Sequence, residues 1–380
     1  MFILLSLLNT LMFDPSLFNI QEPKENLKFA LGTEIGTLNV NNQNYFKIDL
    51  MPEIRNINEI LNVSLRFTLL YGLDKEKGII KYGPYASRDL YKAITIKWLE
   101  LDIEYLKLRY GEFENLTYGY ELMMEDYNSY ALIGTIEYFD NHTFKFMIPS
   151  YDYFTNKKTY LYAFRYELEL FYEYPLLLGL NYFRENSPCN KIPSNSFSTD
   201  FFIDFSDYFI PYIEAAKMLD FGAAFLVGFR GSWNVFTYDL GYKFLSEKFL
   251  VRIYDEFYNY EKDILDLLPL KAKNGLHLKL GLDIENKFEG YIKYEDFAEY
   301  DKNISLKFCT NILKKVNINC KYKQRELSLD NLEIFSKANS SYLIYIGIPL
   351  FEVVELSLGF KKRVKEPFNF GFKILINVFK

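Results

Sequence analysis

The chain has 380 residues and a formal net charge of −6, with 44 Lys and Arg set against 50 Asp and Glu. The basic residues are scattered, with no stripe dense enough to follow phosphates, so nucleic acid is not an expected partner. Three cysteines are too few for a disulfide scaffold, and outside the N-terminus no apolar run approaches the ~20 residues of a membrane helix.

The first segment, MFILLSLLNTLMFDP, holds an apolar stretch from Phe2 to Phe13. No Lys or Arg precedes it and no small-x-small cleavage site follows. The length of that apolar stretch nevertheless makes residues 1–14 read as an export signal or the remnant of one. Beyond it the sequence alternates. Phe29, Leu31, Thr33 and Ile35 are interleaved with Ala30, Gly32, Glu34 and Gly36; Val63, Leu65, Phe67 and Leu69 with Ser64, Arg66 and Thr68. A strand turns successive side chains to opposite faces, so each run has one apolar and one polar face. The phase established at Ile94, Ile96 and Trp98 slips at Leu99 and again at Leu106, and each slip predicts a bulge or a turn. The pattern resumes through Leu132–Tyr138, Thr143–Ile148, Tyr160–Leu170, Leu176–Phe183, Phe221–Phe229, Val235–Phe244 and Phe249–Phe257. Three segments, Ile213–Leu219, Asp263–Leu268 and Leu329–Ala338, read as short loop helices.

The last third is the most regular. Leu276, Leu278, Leu280, Leu282 and Ile284 alternate with His277, Lys279, Gly281 and Asp283, and Val316, Ile318, Cys320 and Tyr322 with Asn317, Asn319, Lys321 and Lys323. Cys309 shares a face with Lys307 and Ser305, whereas Cys320 shares one with Val316 and Ile318. Cross-strand partners lie on one face, so these two cysteines are not expected to bond. The final strand sets Phe368, Phe370, Phe372, Ile374, Ile376 and Val378 against Asn369, Gly371, Lys373 and Asn377. Tight connections such as Asp140-Asn141 and Asn286-Lys287 contrast with long polar ones at Gly72–Tyr91, Glu185–Ser196, Asn259–Asn274 and Gln324–Ser341.

A soluble β-protein also alternates, but one of this size should bury some strands on both faces, and an open sheet this long would leave two exposed edges. Closing the sheet removes the edges, and in hydrocarbon closure is compulsory. The composition agrees. The chain has 33 Tyr and 36 Phe, and Tyr suits a boundary between apolar and wet surroundings. The mean hydropathy of −0.10 is that of a soluble protein, and a barrel whose polar lumen cancels its lipid-facing wall gives the same value.

In pattern, strand length and final strand, residues 27–380 resemble the bacterial outer-membrane β-barrels, most nearly the porin-like ones. The ending FNFGFKILINVFK resembles the strand that such barrels present for insertion, although Phe379 is penultimate and Lys380 ends the chain. The expected fold is all-β, a single antiparallel transmembrane barrel of roughly 16–18 strands with its apolar face outward and a polar lumen. The resemblance implies a channel for passive diffusion of small hydrophilic solutes or ions across the bacterial outer membrane. The alternatives are a plugged barrel with a binding, transport or assembly role, in which Leu106–Tyr130 or Phe201–Leu219 fills the lumen, and an outer-membrane hydrolase. The expected partners are membrane lipid, solutes or ions, and further copies of the chain in a homo-oligomer (trimer).

No enzyme chemistry is expected. His142 and His277 are the only histidines, no nucleophile elbow, phosphate loop or dinucleotide fingerprint occurs, and neither cofactor nor metal is called for. The segment LKLRYGEFENLTYGYELMMEDYNSY, Leu106–Tyr130, differs from the rest of the chain in combining glycine, methionine, tyrosine and acids. By resemblance to porin constriction loops it is a candidate to fold into the lumen. Its acids Glu112, Glu114, Glu121, Glu125 and Asp126 would then face wall bases, with Lys97, Lys107, Arg109, Arg165 and Arg230 as candidates. Opposed charges across a constriction orient polar solutes.

Overall fold

The computed structural model describes residues 28–378 except 41–42, 58–59, 74–76, 84–85, 121, 139–140, 150–160, 171–174, 187–194, 250, 252–253, 255–272, 285–286, 298–300, 313–315, 325–339, 352–353 and 363–368. The expected export signal at 1–14, the expected helices at Asp263–Leu268 and Leu329–Ala338, and the last two residues lie outside the described residues.

The described chain is built from strands, with one single-turn 3-10 helix at Leu90–Ala93. In order they are β1 (Lys28–Val40), β2 (Gln43–Ile57), β3 (Leu61–Gly72), β4 (Ile80–Tyr82), β5 (Ile94–Ile103), β6 (Leu106–Tyr118) and β7 (Met124–Tyr138). Then follow β8 (His142–Pro149), β9 (Leu161–Leu170), β10 (Leu176–Glu185), β11 (Asn195–Ile203), β12 (Ile210–Met218), β13 (Ala223–Trp233) and β14 (Phe236–Leu245). The last are β15 (Lys273–Ile284), β16 (Phe288–Phe297), β17 (Asp301–Ile312), β18 (Val316–Gln324), β19 (Ser340–Phe351), β20 (Val354–Lys362) and β21 (Asn369–Val378).

All pair in one antiparallel sheet, and the sheet closes. β1 pairs with β2, β2 with β3, β3 with β5, and then each strand with the next as far as β21. β21 returns to β1, from Phe29↔Val378 to Ile35↔Phe372. The short β4 extends β3 at Leu69–Tyr71, beyond the stretch on which β5 pairs. Of the 21 strands, all but β4 stand in the ring, which leaves 20.

That number exceeds the 16–18 expected from the sequence. Part of the excess is β12, read from IEAAKML as a helix. Its alanines and absence of Val or Thr favour helix locally, but pairing with β11 and β13 overrides that preference. Tyr212, Glu214, Ala216 and Met218 face one way and Ile213, Ala215 and Lys217 the other, a period of two. For the same reason Phe201–Leu219 does not fill the lumen; it is wall, made of the end of β11, a connection and β12.

The faces have the polarity expected of a barrel in lipid. On β15, Leu276 and Leu280 are 47% and 54% exposed while His277 between them is 1% exposed. Phe225, Val227 and Phe229 of β13 are likewise exposed, and Lys243, Lys293 and Glu295 are buried. Apolar side chains therefore cover the outside and ionic ones line the inside, the reverse of a water-soluble sheet.

The two phase slips have separate causes. Ser64 pairs with Trp98 but Leu65 with Ile96, so Lys97 is an extra residue and β5 bulges there. Lys97 and Trp98 consequently both point inward, each 1% exposed. The second slip is the tight turn between β5 and β6. Cys309 pairs with Asn319 and Cys320 with Phe308, which puts the two thiols on opposite faces, and both are free. The rims differ too. At the rim holding Lys28 and Val378, successive strand ends are separated by at most six residues in sequence, as between Ile203 and Ile210; at the other rim some are separated by longer stretches, as between Gly72 and Ile94 or Leu245 and Lys273.

Leu280 lies near the middle of β15 and faces outward, so Leu280→Arg is expected to destabilise the inserted barrel by about 2–4 kcal/mol. Urea titration of the protein folded into lipid vesicles measures this. A loss below about 0.5 kcal/mol, the size of an ordinary surface substitution, would contradict the outward assignment.

Candidate functional site

Strands β6 and β7 are longer than the wall they belong to. β6 pairs with β5 only as far as Gly111, opposite Trp98. β7 pairs with β8 only from Ala131, opposite Pro149. Gly111 and Ala131 are themselves paired, and beyond them the two strands continue as a ribbon, through Glu112↔Tyr130 and Phe113↔Ser129 to Tyr118↔Met124. Gly111 enables the departure. Its φ is +129°, and a Cβ there would lie 2.3 Å from the Lys97 carbonyl oxygen.

The ribbon turns into the barrel. Leu122, Met123 and Met124 at its tip are fully buried, packed with Tyr118 and Tyr127 against the inward side chains Met147, Leu161, Phe183, Met218 and Leu226 of the wall. Tyr254, between β14 and β15 in sequence, lies beside it. Tyr254 N–H donates to the Met123 carbonyl at 3.1 Å, and Glu125 N–H donates to the Tyr254 carbonyl at 3.1 Å, a parallel bridge. An apolar cluster therefore occupies the lumen on the β8–β14 side.

The tip is held from β12. The fully buried Glu214 accepts hydrogen bonds from the Tyr120 and Leu122 N–H groups on one oxygen, at 2.9 and 3.1 Å. The residue at 119 must be glycine for two reasons: its φ is +80°, and a Cβ would lie 2.5 Å from the other oxygen of Glu214. The Tyr120 ring stacks on Tyr212, centroids 4.4 Å apart at 3°, and meets Phe202 edge-on. The Arg230 guanidinium sits 5.1 Å from the Tyr120 ring centre and 5.4 Å from that of Phe202. Burial disfavours the phenolate and pushes the Tyr120 hydroxyl pKa up, so the ring stays neutral.

Ion pairs hold the rest of the ribbon. At its root Glu112 takes a two-pronged contact from Arg66 of β3, at 2.7 and 2.8 Å. Across the lumen Lys293 of β16 reaches Glu125 at 2.6 Å, and Lys321 of β18 reaches Asp126 at 3.1 Å. These lysines belong to a basic wall: Lys279 pairs with Lys293, and Lys307 with Lys321, across neighbouring strands. Lys279 lies 4.2 Å from the Tyr291 ring centre.

Of the residues singled out from the sequence, Glu112, Glu125 and Asp126 are on the ribbon, in contact with wall bases. Glu121 and the side chain of Glu114 lie outside the described residues. Of the expected bases, Lys97, Arg109 and Arg230 lie at the ribbon, whereas Lys107 and Arg165 are engaged within the wall. Lys97 lies under the ribbon root. Lys107 pairs with Glu137 near the rim of short connections, at 3.7 Å. Arg109 lies over Trp98, 5.7 Å from the ring centre, and donates to the Glu112 carbonyl. Arg165 is engaged by Asp200 and Glu167 within the wall, and Arg230 braces the tip. The actual partners Arg66, Lys293 and Lys321, with Glu214, had no distinguishing local signal. Lys293 and Lys321 are 168 and 195 residues from the acids they meet. His142 contacts Tyr166 at 2.6 Å, and His277 lies between the carboxylates of Asp239 and Glu295, at 3.5 and 3.8 Å.

No protein-family model and no curated protein matches the chain. Among solved structures it is similar to Pseudomonas aeruginosa OpdO, at 8% identity over 92% of this chain and 95% of that one, with a TM-score of 0.39. It is also similar to P. aeruginosa OccK8 (OprE), at 7% identity over 93% and 98% with a TM-score of 0.42. P. aeruginosa OccK2 (OpdF) in complex with glucuronate gives 8% identity over 93% and 97%, with a TM-score of 0.39. Superpositions this loose assign neither fold nor function, which rest on the strand pairing and side chains above.

Removing the Glu214 carboxylate leaves two tip N–H groups without their acceptor. Glu214→Ala is expected to loosen the tip by about 1–3 kcal/mol, which speeds amide exchange at Tyr120 and Leu122 about tenfold or more. Hydrogen exchange of peptides covering 116–126 checks it, with peptides from β15 as the unchanged reference.

Proposed function

We propose that the chain is a porin-like channel of the bacterial outer membrane, through which small hydrophilic solutes or ions diffuse passively. One observation carries the reading: a closed sheet with apolar side chains outside and ionic ones inside, crossed by a ribbon held to both sides of the lumen. A ring of about 20 strands is too wide for wall side chains to fill, so water enters unless another segment blocks it. The ribbon does so on the β8–β14 side, where its contacts are dry. Toward β15–β18 its contacts are ion pairs, and the water path runs there, between acids on the ribbon and lysines on the wall. Charges of opposite sign across a narrow passage set up a transverse field and keep net selectivity weak. The excess of lysine on β15–β18 tilts it toward anions.

The apolar cluster around Leu122–Met124 favours a second reading, a barrel plugged at rest whose ribbon must move for transport. Recordings in planar bilayers separate the two. An open channel shows steady conductance steps from the purified protein without further treatment; a plugged one conducts only when the ribbon is loosened, as in Glu214→Ala. Absence of conductance from both proteins would refute the channel.

In a salt gradient the reversal potential of the unaltered protein is expected to show a slight preference for anions. Lys293→Glu with Lys321→Glu, which also breaks both pairs to the ribbon, is expected to move it toward cations. An unmoved reversal potential would mean that permeating ions do not pass these lysines.

A further inference from the structure

The outward face of the wall has one place where side-chain size changes abruptly. Phe144, Phe164, Tyr182 and Phe197 form an aromatic ridge across β8–β11, with neighbouring ring centres 6.3, 6.2 and 5.0 Å apart. Beside it Thr199 pairs with Ala215 across β11 and β12, between Leu180 on β10 and Phe225 on β13. The row toward the long connections runs Tyr182, Phe197, Lys217, Ala223. Small residues next to a ridge leave a groove of about 610 Å³, lined by Leu180, Tyr182, Phe197, Thr199, Ala215 and Lys217 among others.

Two cations stand at the end of this groove near the long connections. Lys217 is exposed on the outward face, opposite Phe197. Arg184 is also exposed and outward, opposite Asn195, two residues before Phe197 on the same strand. Standard strand spacing and rise put their Cα atoms on the order of 12 Å apart, within reach of one headgroup for two long side chains. Among the described residues neither has a carboxylate partner; the Arg184 Nε donates to Asn186 at 3.0 Å. The Tyr182 hydroxyl and Asn195, 2.6 Å apart, add a polar edge between them. Basic residues on a lipid-facing wall are costly unless their charge reaches the interface and meets an anion there.

We propose that this groove takes one acyl chain of a phosphorylated membrane lipid, with the phosphate held between Lys217 and Arg184. The apolar trough supplies the chain site and the two cations supply headgroup selectivity, on the leaflet facing the long connections. The inference rests on the membrane reading above and adds a specific lipid to it.

The test is native mass spectrometry of the detergent-purified, delipidated barrel given diphosphorylated lipid A or its dephosphorylated form. The unaltered protein should retain one phosphorylated lipid molecule. Lys217→Gln with Arg184→Gln should weaken retention by about tenfold or more, since each basic residue near an anionic surface contributes about fivefold. Ala215→Trp, which fills the trough and keeps both charges, should weaken it also. Equal retention of both lipid forms, or by all three proteins, would overturn the proposal; the side chains would then merely extend to the interface. Conductance of the same preparations keeps the two readings apart: conducting barrels without lipid preference would remove this inference alone.

Discussion

In hydrocarbon an unpaired backbone N–H or C=O has no water to turn to, and that constraint shapes this molecule. A sheet with an open edge would leave a full row of such groups in lipid. The pairing of β1 with β21 removes both edges at once. Closure then fixes the inside-out polarity. The outer face must be apolar for lipid, and the alternation that makes it so delivers polar side chains to the interior.

Closure also creates a lumen wider than the wall's own side chains can fill. The ribbon answers this, but it reintroduces the edge problem on a small scale. Once β6 and β7 leave β5 and β8, their outer backbone groups lose their neighbours. Two devices restore partners: the parallel bridge between Met123–Glu125 and Tyr254, and the Glu214 carboxylate under the Tyr120 and Leu122 N–H groups. One carboxyl oxygen of Glu214 accepts from both N–H groups. Glycine at 119 lets the chain approach it, as glycine at 111 lets the chain leave the wall. Of the ribbon's ion pairs, Glu112 meets Arg66 on β3, while Glu125 and Asp126 meet lysines on β16 and β18. Among the described residues, the ribbon tip thus packs on apolar side chains of β8–β14, while its acids Glu125 and Asp126 meet lysines of β16 and β18.

The strands were legible wherever their alternation was strong. The face assignment on β15 follows from Leu276–Ile284 alone, and the slips at Leu99 and Leu106 correspond to a bulge and a turn. The opposed facing of Cys309 and Cys320 follows from the pleat. Where composition favours another state, strand pairing overrides it: IEAAKML has the propensity of a helix and the setting of a strand, and the setting prevails. Leu106–Tyr130 stood out by composition, yet nothing in it named Arg66, Lys293, Lys321 or Glu214 as its contacts.

By itself, then, the sequence determined that the chain is nearly all strand, which face of each strong strand is apolar, and that such faces call for lipid. These are properties of period two, carried by residues next to one another. Only the tertiary structure decided that twenty strands close the ring, that β12 is one of them, and that the ribbon docks on Glu214 and on two lysines well over a hundred residues away. Those outcomes depend on register accumulated from strand to strand around the ring, and no local window of sequence contains it.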